Sequence, residues 1–278
     1  MNPPRPQKDP APPTRSHDHE LEITASQEEV WKAITEAERL VNWFPLRADV
    51  TPGAGGTITY RWGDLVGPCR IEVWDPPRHL RTSWLEFARD GVPPAGAPSP
   101  LLVDWHLEAR GGRTVLRVVH SGFGQDARFD DEFESTRRGW GFELRSLRHW
   151  LERHRGRARQ ALWLARPTAL PADAAWRRIT APDGLFREGD LADCRAGDRY
   201  RVVLTTGDAV EGVVWTNAAP VEFTATAENH GDGLFRFGFE SCGGQPSAYL
   251  GLSTWRTTPA GFRAIEERWR AALERALA

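Results

Sequence analysis

His120 is the polar residue whose position most invites chemistry. It follows Leu116 and Val118 at two-residue spacing, so on a strand the three share one face. A neutral imidazole there offers a bound molecule one donor and one acceptor. To move protons it needs a partner that fixes its tautomer, and Glu86 is the carboxylate nominated for that role. The competing expectation is a strand-end histidine that hydrogen-bonds a nearby loop. Around it, Trp62, Trp84, Trp105, Phe123 and Trp140 are candidates for the apolar wall of a binding cavity. The chain holds 13 Trp and 12 Phe but only 3 Tyr, more indole than two modest cores need.

Other chemistry-bearing types lead to plainer expectations. Asp104, His106 and Glu108 alternate with Val103, Trp105 and Leu107, the pattern of a strand with one wet face, so these polar residues are expected in solvent. His17-Asp18-His19 has metal-ligand types but adjoins a proline-rich lead-in, and no second cluster completes it. Cys69, Cys194 and Cys242 form no paired motif and are expected as small buried residues. Gly53-Ala54-Gly55-Gly56 lacks the Lys-Ser/Thr ending of a phosphate loop and precedes a strand. No metal and no cofactor is expected.

The elements that position these groups occur twice. Trp31/Trp176, Ile34/Ile179 and Leu40/Leu185 share one offset of 145 residues in the numbering. Ala54-Gly55-Gly56-Thr57 is echoed by Ala196-Gly197-Asp198-Arg199, and Val73-Trp74 by Val214-Trp215. A period this long means duplicated domains rather than a solenoid. Ser26 reads as the cap of a short helix over Gln27–Ala37, with Glu28 and Glu29 in its first turn. Strand-like alternations follow, such as Ile58, Tyr60 and Trp62, with Asp90–Pro100 as a hairpin loop. Each half closes on an amphipathic helix: Trp140, Leu144, Leu147 and Leu151 in the first, Phe262, Ile265, Trp269 and Leu273 in the second. In the second half Phe235, Phe237 and Phe239 share a strand face. The expected organisation is a disordered tail over 1–16, a domain over 17–156 and a divergent copy over 157–278.

Geometry then suggests a hollow. A helix about 10 Å across is narrower than a curved sheet of six or seven strands, so part of the concave face is expected to stay uncovered as a tapering apolar cavity. Tyr60, Trp62, Trp84, Trp105, His120, Phe123, Trp140 and Leu144 are the residues expected to line it.

These features resemble the START/Bet v 1-like (SRPBCC) superfamily, and more narrowly the domain named after the C-terminal part of the Hsp90 activator Aha1. The resemblance rests on Ala25-Ser26 before Glu29-Val30-Trp31, then Trp43-Phe44, Gly55-Gly56-Thr57, and Glu72-Val73-Trp74-Asp75-Pro76-Pro77. It continues through Leu80-Arg81-Thr82-Ser83-Trp84, Gly112-Arg113-Thr114, His120-Ser121-Gly122-Phe123 and Gly139-Trp140, over Glu20–Arg153. The second copy lacks the His-Ser-Gly-Phe run. The resemblance implies an α+β fold of two tandem helix-grip domains, each a curved antiparallel sheet gripping a long C-terminal helix, and a hydrophobic pocket. It implies no single activity, since members include stress-response proteins, drug-sequestering proteins and polyketide aromatase/cyclases.

The primary expectation is a binding protein for a small hydrophobic or aromatic molecule. A tandem aromatase/cyclase, with His120, Tyr60 and Arg81 as acid/base groups, is the enzymatic alternative. A chaperone-interaction module ranks last, because nothing here resembles the additional N-terminal domain of the eukaryotic activator. The net charge of −2 carries no basic stripe for nucleic acid: Arg137, Arg138, Arg145, Arg148, Arg153, Arg155, Arg157 and Arg159 read as a solvated helix face and linker. No apolar run reaches the ~20 residues of a membrane span, so a cytoplasmic protein is expected.

Overall fold

Ser26 starts the first helix shortly after the first strand ends: its side chain accepts from the Glu29 amide at 3.3 Å, satisfying one of the free N–H groups of a helix start. In the computed structural model, which describes residues 14–63, 65–84, 101–240 and 246–277, this junction opens a pattern that recurs. The first domain runs β1 (Thr14–Ile23), α1 (Gln27–Thr35), α2 (Ala37–Leu40), β2 (Arg47–Thr51), β3 (Thr57–Trp62), β4 (Leu65–Asp75), β5 (His79–Trp84), β6 (Leu101–Arg110), β7 (Arg113–Gly124) and α3 (Asp130–Arg153). The second runs β8 (Gln160–Pro167), α4 (Ala172–Thr180), β9 (Phe186–Glu188), β10 (Arg199–Leu204), β11 (Ala209–Ala218), β12 (Glu222–Ala227), β13 (Gly233–Glu240), β14 (Ser247–Thr254) and α5 (Pro259–Leu277). The expected loop over Asp90–Pro100, Glu86, Cys242 and most of the tail lie outside the described residues.

Both sheets are seven-stranded and antiparallel, with one topology: the first strand of each domain lies beside the last, and the rest follow as a meander. The orders β1-β7-β6-β5-β4-β3-β2 and β8-β14-β13-β12-β11-β10-β9 are the same order written twice. The chain is thus α+β with two helix-grip units in tandem. The helix expected over Gln27–Ala37 is broken in two, because Glu36 is extended at φ −100°, ψ 127°. The strand β1 begins at Thr14, inside the segment expected to be disordered, where the Arg15 guanidinium donates to the Gly124 carbonyl and to Asp130. Among the described residues no helix is long and apolar enough to cross a membrane.

The closing helix α3 is covered on two sides. Its predicted stripe, Trp140, Leu144, Leu147 and Leu151, is buried toward the first sheet, but Phe142, Glu143, His149 and Trp150 are buried as well. Of these, Phe142, Glu143 and His149 meet the second domain at Trp215, Arg236 and Asp232. Arg236 on β13 lies between the rings of Phe142 and Trp163, with its guanidinium carbon 4.3 Å from each centroid, and pairs with Glu143 at 3.2 Å. Gly251 stands between Arg236 and Trp163 in the strand register, and a Cβ there would come within 3.2 Å of the arginine stem. At the other end, His149 and His154 both donate from Nε2 to the Asp232 carbonyl, at 2.8 and 2.9 Å, and Trp255 stacks on His154. The Trp255 indole in turn donates to the Asn42 carbonyl.

This junction corrects the reading of the arginines as a solvated face in part: Arg137, Arg145, Arg148, Arg153, Arg155 and Arg157 are exposed as expected, but Arg159 is half-buried and others reach acceptors beyond the helix. Arg153 bonds Asp232, Arg145 donates to the Trp215 carbonyl, and Arg159 donates to the carbonyls of Phe44 and Pro45. The reason is that the second domain docks on the side of α3 that a one-domain helical wheel assigns to water.

Candidate functional site

The first interior is lined by the expected residues, yet its rings meet one another. Tyr60 stacks on Trp84 at 5.4 Å between centroids, Trp105 meets Trp140 edge-on at 5.2 Å, and Trp84 lies 6.5 Å from Trp140. Phe44 fills the middle, 5.1 Å from both Tyr60 and Trp62 and 5.5 Å from Trp140, and Trp43 stacks on Phe44 at 5.2 Å. Leu144 is buried in the same cluster. Trp43 is fixed by its own donation to the Ala33 carbonyl at 2.9 Å and by Ser146, which donates to the Trp43 carbonyl. The long helix is therefore not alone in covering the concave face, and the expected hollow is filled. The corner after α2 is a second cover, and two adjacent aromatics just before β2 were its sequence signal.

Polarity concentrates at one end of the interior. On β1 His17, His19, Leu21 and Ile23 alternate on the inner face, and His17 lies directly across from His120 on β7. Phe123, from the end of β7, and Phe133, from the first turns of α3, close around them, each 5.2 Å from the His17 ring. The imidazoles of His17 and His120 are 5.4 Å apart, as are those of His17 and His19. His17-Asp18-His19 therefore sits in a strand, with His17 buried, rather than beside a loose tail.

The hydrogen bonds assign a protonation state to His120. The Trp140 indole, which can only donate, gives its N–H to His120 Nδ1 at 2.9 Å. Nδ1 is thus an acceptor, the ring is neutral, and its proton is on Nε2. Among the described residues, that Nε2, both nitrogens of His17, Nε2 of His19 and Oγ1 of Thr82 are buried without a hydrogen-bond partner. Burial, reinforced by the positive potential of His17 and His19, pulls the His120 pKa down to about 3. Burial, His19 and Arg137 pull His17 down to about 4, against an opposing effect from Glu134.

A prediction follows for acid. Both groups bind a proton near 6.5 when unfolded but only near 3 and 4 when folded, so the unfolded chain gains protons first as pH falls. Their contribution to stability is complete above about pH 6.5 and declines as pH drops toward 4. Nitrogen-15 NMR should show His120 neutral and Nε2-protonated at pH 5, and a His120 ring that titrates near 6.5 would refute the assignment.

The remaining candidates do not converge on this end. Arg81 lies on the outer face of β5, where it pairs with Asp104 at 2.7 Å, while its neighbours Leu80 and Thr82 point inward. Tyr60 is inside, and burial raises its phenol well above the usual range. Asp104, expected in solvent, is only 6% exposed, because cross-strand Arg81 and His79 both reach its Oδ1 and cover it. Cys69 is buried as expected, whereas Cys194 is half-buried.

Two hollows lie elsewhere, at the domain junction. One of about 30 Å³ is bordered by Phe44, Trp62, Glu143, Arg159 and Arg236. The other, a groove of about 610 Å³, is bordered by Asn42, Arg47, Arg61, Arg159 and Arg263 among others.

Residues 24–152 match the family described as Activator of Hsp90 ATPase homolog 1-like protein. The chain is similar to the Aha1 dimer of Colwellia psychrerythraea, with 22% identity over 51% of this chain and 99% of that one, at a TM-score of 0.43. It is similar to the protein MLL2253 of Mesorhizobium loti, with 22% identity over 50% and 98% and a TM-score of 0.44. DynU16, of the dynemicin biosynthetic locus, aligns over 94% of this chain and 97% of its own, with 17% identity and a TM-score of 0.42. No curated protein matches the chain.

Proposed function

Since residues 24–152 belong to the Activator of Hsp90 ATPase homolog 1-like family, we propose that the first domain binds a small aromatic molecule carrying a neutral polar group. One observation carries the reading: among the described residues, buried imidazole nitrogens of His17 and His120 have no partner, in a wall of aromatic rings. A buried polar atom without a partner costs roughly 1–3 kcal/mol, and a guest hydroxyl or carbonyl removes that cost. Because both imidazoles are neutral at physiological pH, they suit a phenol or ketone better than a carboxylate. The guest enters between β1, β7 and the first turns of α3, displacing Phe133, while the interlocked indoles below set the floor.

Binding is preferred to dehydrating cyclisation on geometric grounds. His120, Tyr60 and Arg81 would have to act on one substrate, and Arg81 faces away from the other two. The second domain, whose own interior is filled by Phe223, Phe235 and Phe237, serves in this reading as a brace for α3.

Fluorescence titration with 2-naphthol tests the proposal, with naphthalene as the control. We expect saturable 2-naphthol binding that His17→Phe weakens at least tenfold, with naphthalene affected less. Absence of binding, or equal loss of both probes in a folded variant, would overturn it. Native mass spectrometry of protein from its own cells then identifies the natural guest.

A further inference from the structure

The geometry points to a transition-metal site on the outer face of the first sheet, formed by His79, His106 and Asp104. This surface is on the opposite side of the sheet from the proposed aromatic site and does not depend on it. His79 on β5 and His106 on β6 are direct cross-strand partners, and Asp104 precedes His106 by two residues, on the same face. One donor atom from each residue falls within 4.8 Å of the other two. The imidazole rings lie nearly parallel, 4.3 Å apart at 16°.

Bonds of about 2.0–2.2 Å to nitrogen and oxygen require donors on the order of 3–3.5 Å apart, so modest side-chain rotations bring all three onto one ion. The backbone need not move, because both strands are paired along their length. Asp104 is suited to the third position. Both of its hydrogen bonds, from His79 Nε2 and Arg81 Nε, fall on Oδ1, and Oδ2 receives neither. His106 is exposed, which leaves the remaining coordination positions to solvent.

Two imidazoles and a carboxylate suit borderline divalent ions such as Zn²⁺, Co²⁺, Ni²⁺ or Cu²⁺ rather than Mg²⁺ or Ca²⁺. Two cations oppose them. Arg81 competes for Asp104, and Arg117 is the next cross-strand neighbour of His106, although Asp18 pairs with it. These charges set the expected affinity at micromolar rather than nanomolar. The other His-His-Asp group, His149, His154 and Asp232, is a poorer receptor. Both of its imidazoles are buried, with His154 under Trp255 at the domain junction, so solvent cannot complete a coordination sphere there as it can at exposed His106.

The test is Co²⁺ and Zn²⁺ titration of the untagged full chain, followed by visible absorption and calorimetry, with circular dichroism to verify the fold of each variant. The expected result is one ion per chain, affinity at least tenfold weaker in both His79→Ala and His106→Ala, and tighter binding in Arg81→Ala, which frees the carboxylate. Unchanged binding in the His79→Ala/His106→Ala double variant, or no saturable Co²⁺ binding to the natural chain, would overturn the site. Tightening in Arg81→Ala separates a ligating Asp104 from one that only braces His79, since a brace alone predicts no gain.

Discussion

Arg236→Ala is expected to destabilise the protein by about 3–5 kcal/mol, the range for removing one member of a buried ion pair. The side chains of Arg236 and Glu143 are only 15% and 9% exposed, so loss of the guanidinium leaves the carboxylate in a dry junction. The variant also loses the contacts with Phe142 and Trp163, which hold the second sheet against α3. Urea unfolding should show the midpoint falling, and separation of the two domain transitions would locate the damage at the junction. An unfolding free energy unchanged to within about 0.5 kcal/mol, the ordinary range for a surface site, would contradict the role.

The same pair makes a pH statement. Burial, only partly offset by Arg236 and Arg159, raises the Glu143 pKa to about 7. The folded state therefore holds this proton more tightly than the unfolded state, where the group ionises near 4.5. Its contribution falls as pH rises from about 4.5 to about 7, opposite in sign to that of His17 and His120. Glu143→Gln should remove this slope and leave the histidine slope in place, which is visible as a difference between the two stability–pH curves.

Trp140→Ala is the second large effect, at about 3–5 kcal/mol. The ring touches Trp105, Trp84 and Phe44 and, among the described residues, supplies the donor to His120 Nδ1, so the variant leaves both a cavity and an acceptor without its bond. An apolar hole of this kind stays dry and takes up flat hydrocarbons. Indole should fit better than benzene, because its N–H can replace the lost donor. Thermal unfolding of the variant should therefore shift upward with indole concentration, as expected for a ligand that binds only the folded state, and by more than that of the natural chain. Equal shifts in both proteins, or none in the variant, would show that the interior does not re-form around a guest.

Much of this was legible beforehand because it depends on local periodicity. The 145-residue offset between Trp31 and Trp176 reappears as α1 and α4, and two-residue spacing placed Val103, Trp105, Leu107, Leu116, Val118 and His120 inside. Stripes at three- and four-residue spacing placed Trp140, Leu144, Leu147 and Leu151 correctly. The failures arose where a residue's neighbour is distant in the chain. Asp104 read as wet because Arg81, its cover, is on another strand, and Arg159 read as solvated because its acceptors are the carbonyls after α2.

Alternation and helical spacing are properties of a few consecutive residues, so the sequence by itself determined the strands, the helices, their inward faces and the doubling of the fold. Tertiary structure decided what those inward faces meet: Phe44 among the indoles, His17 against His120, and the outer face of the second sheet on α3. The physical reason is that a helical wheel or strand pattern divides a surface into wet and dry only for one partner. A helix gripped from both sides, or a strand face crossed by an arginine from next door, is settled by packing between segments far apart in the chain.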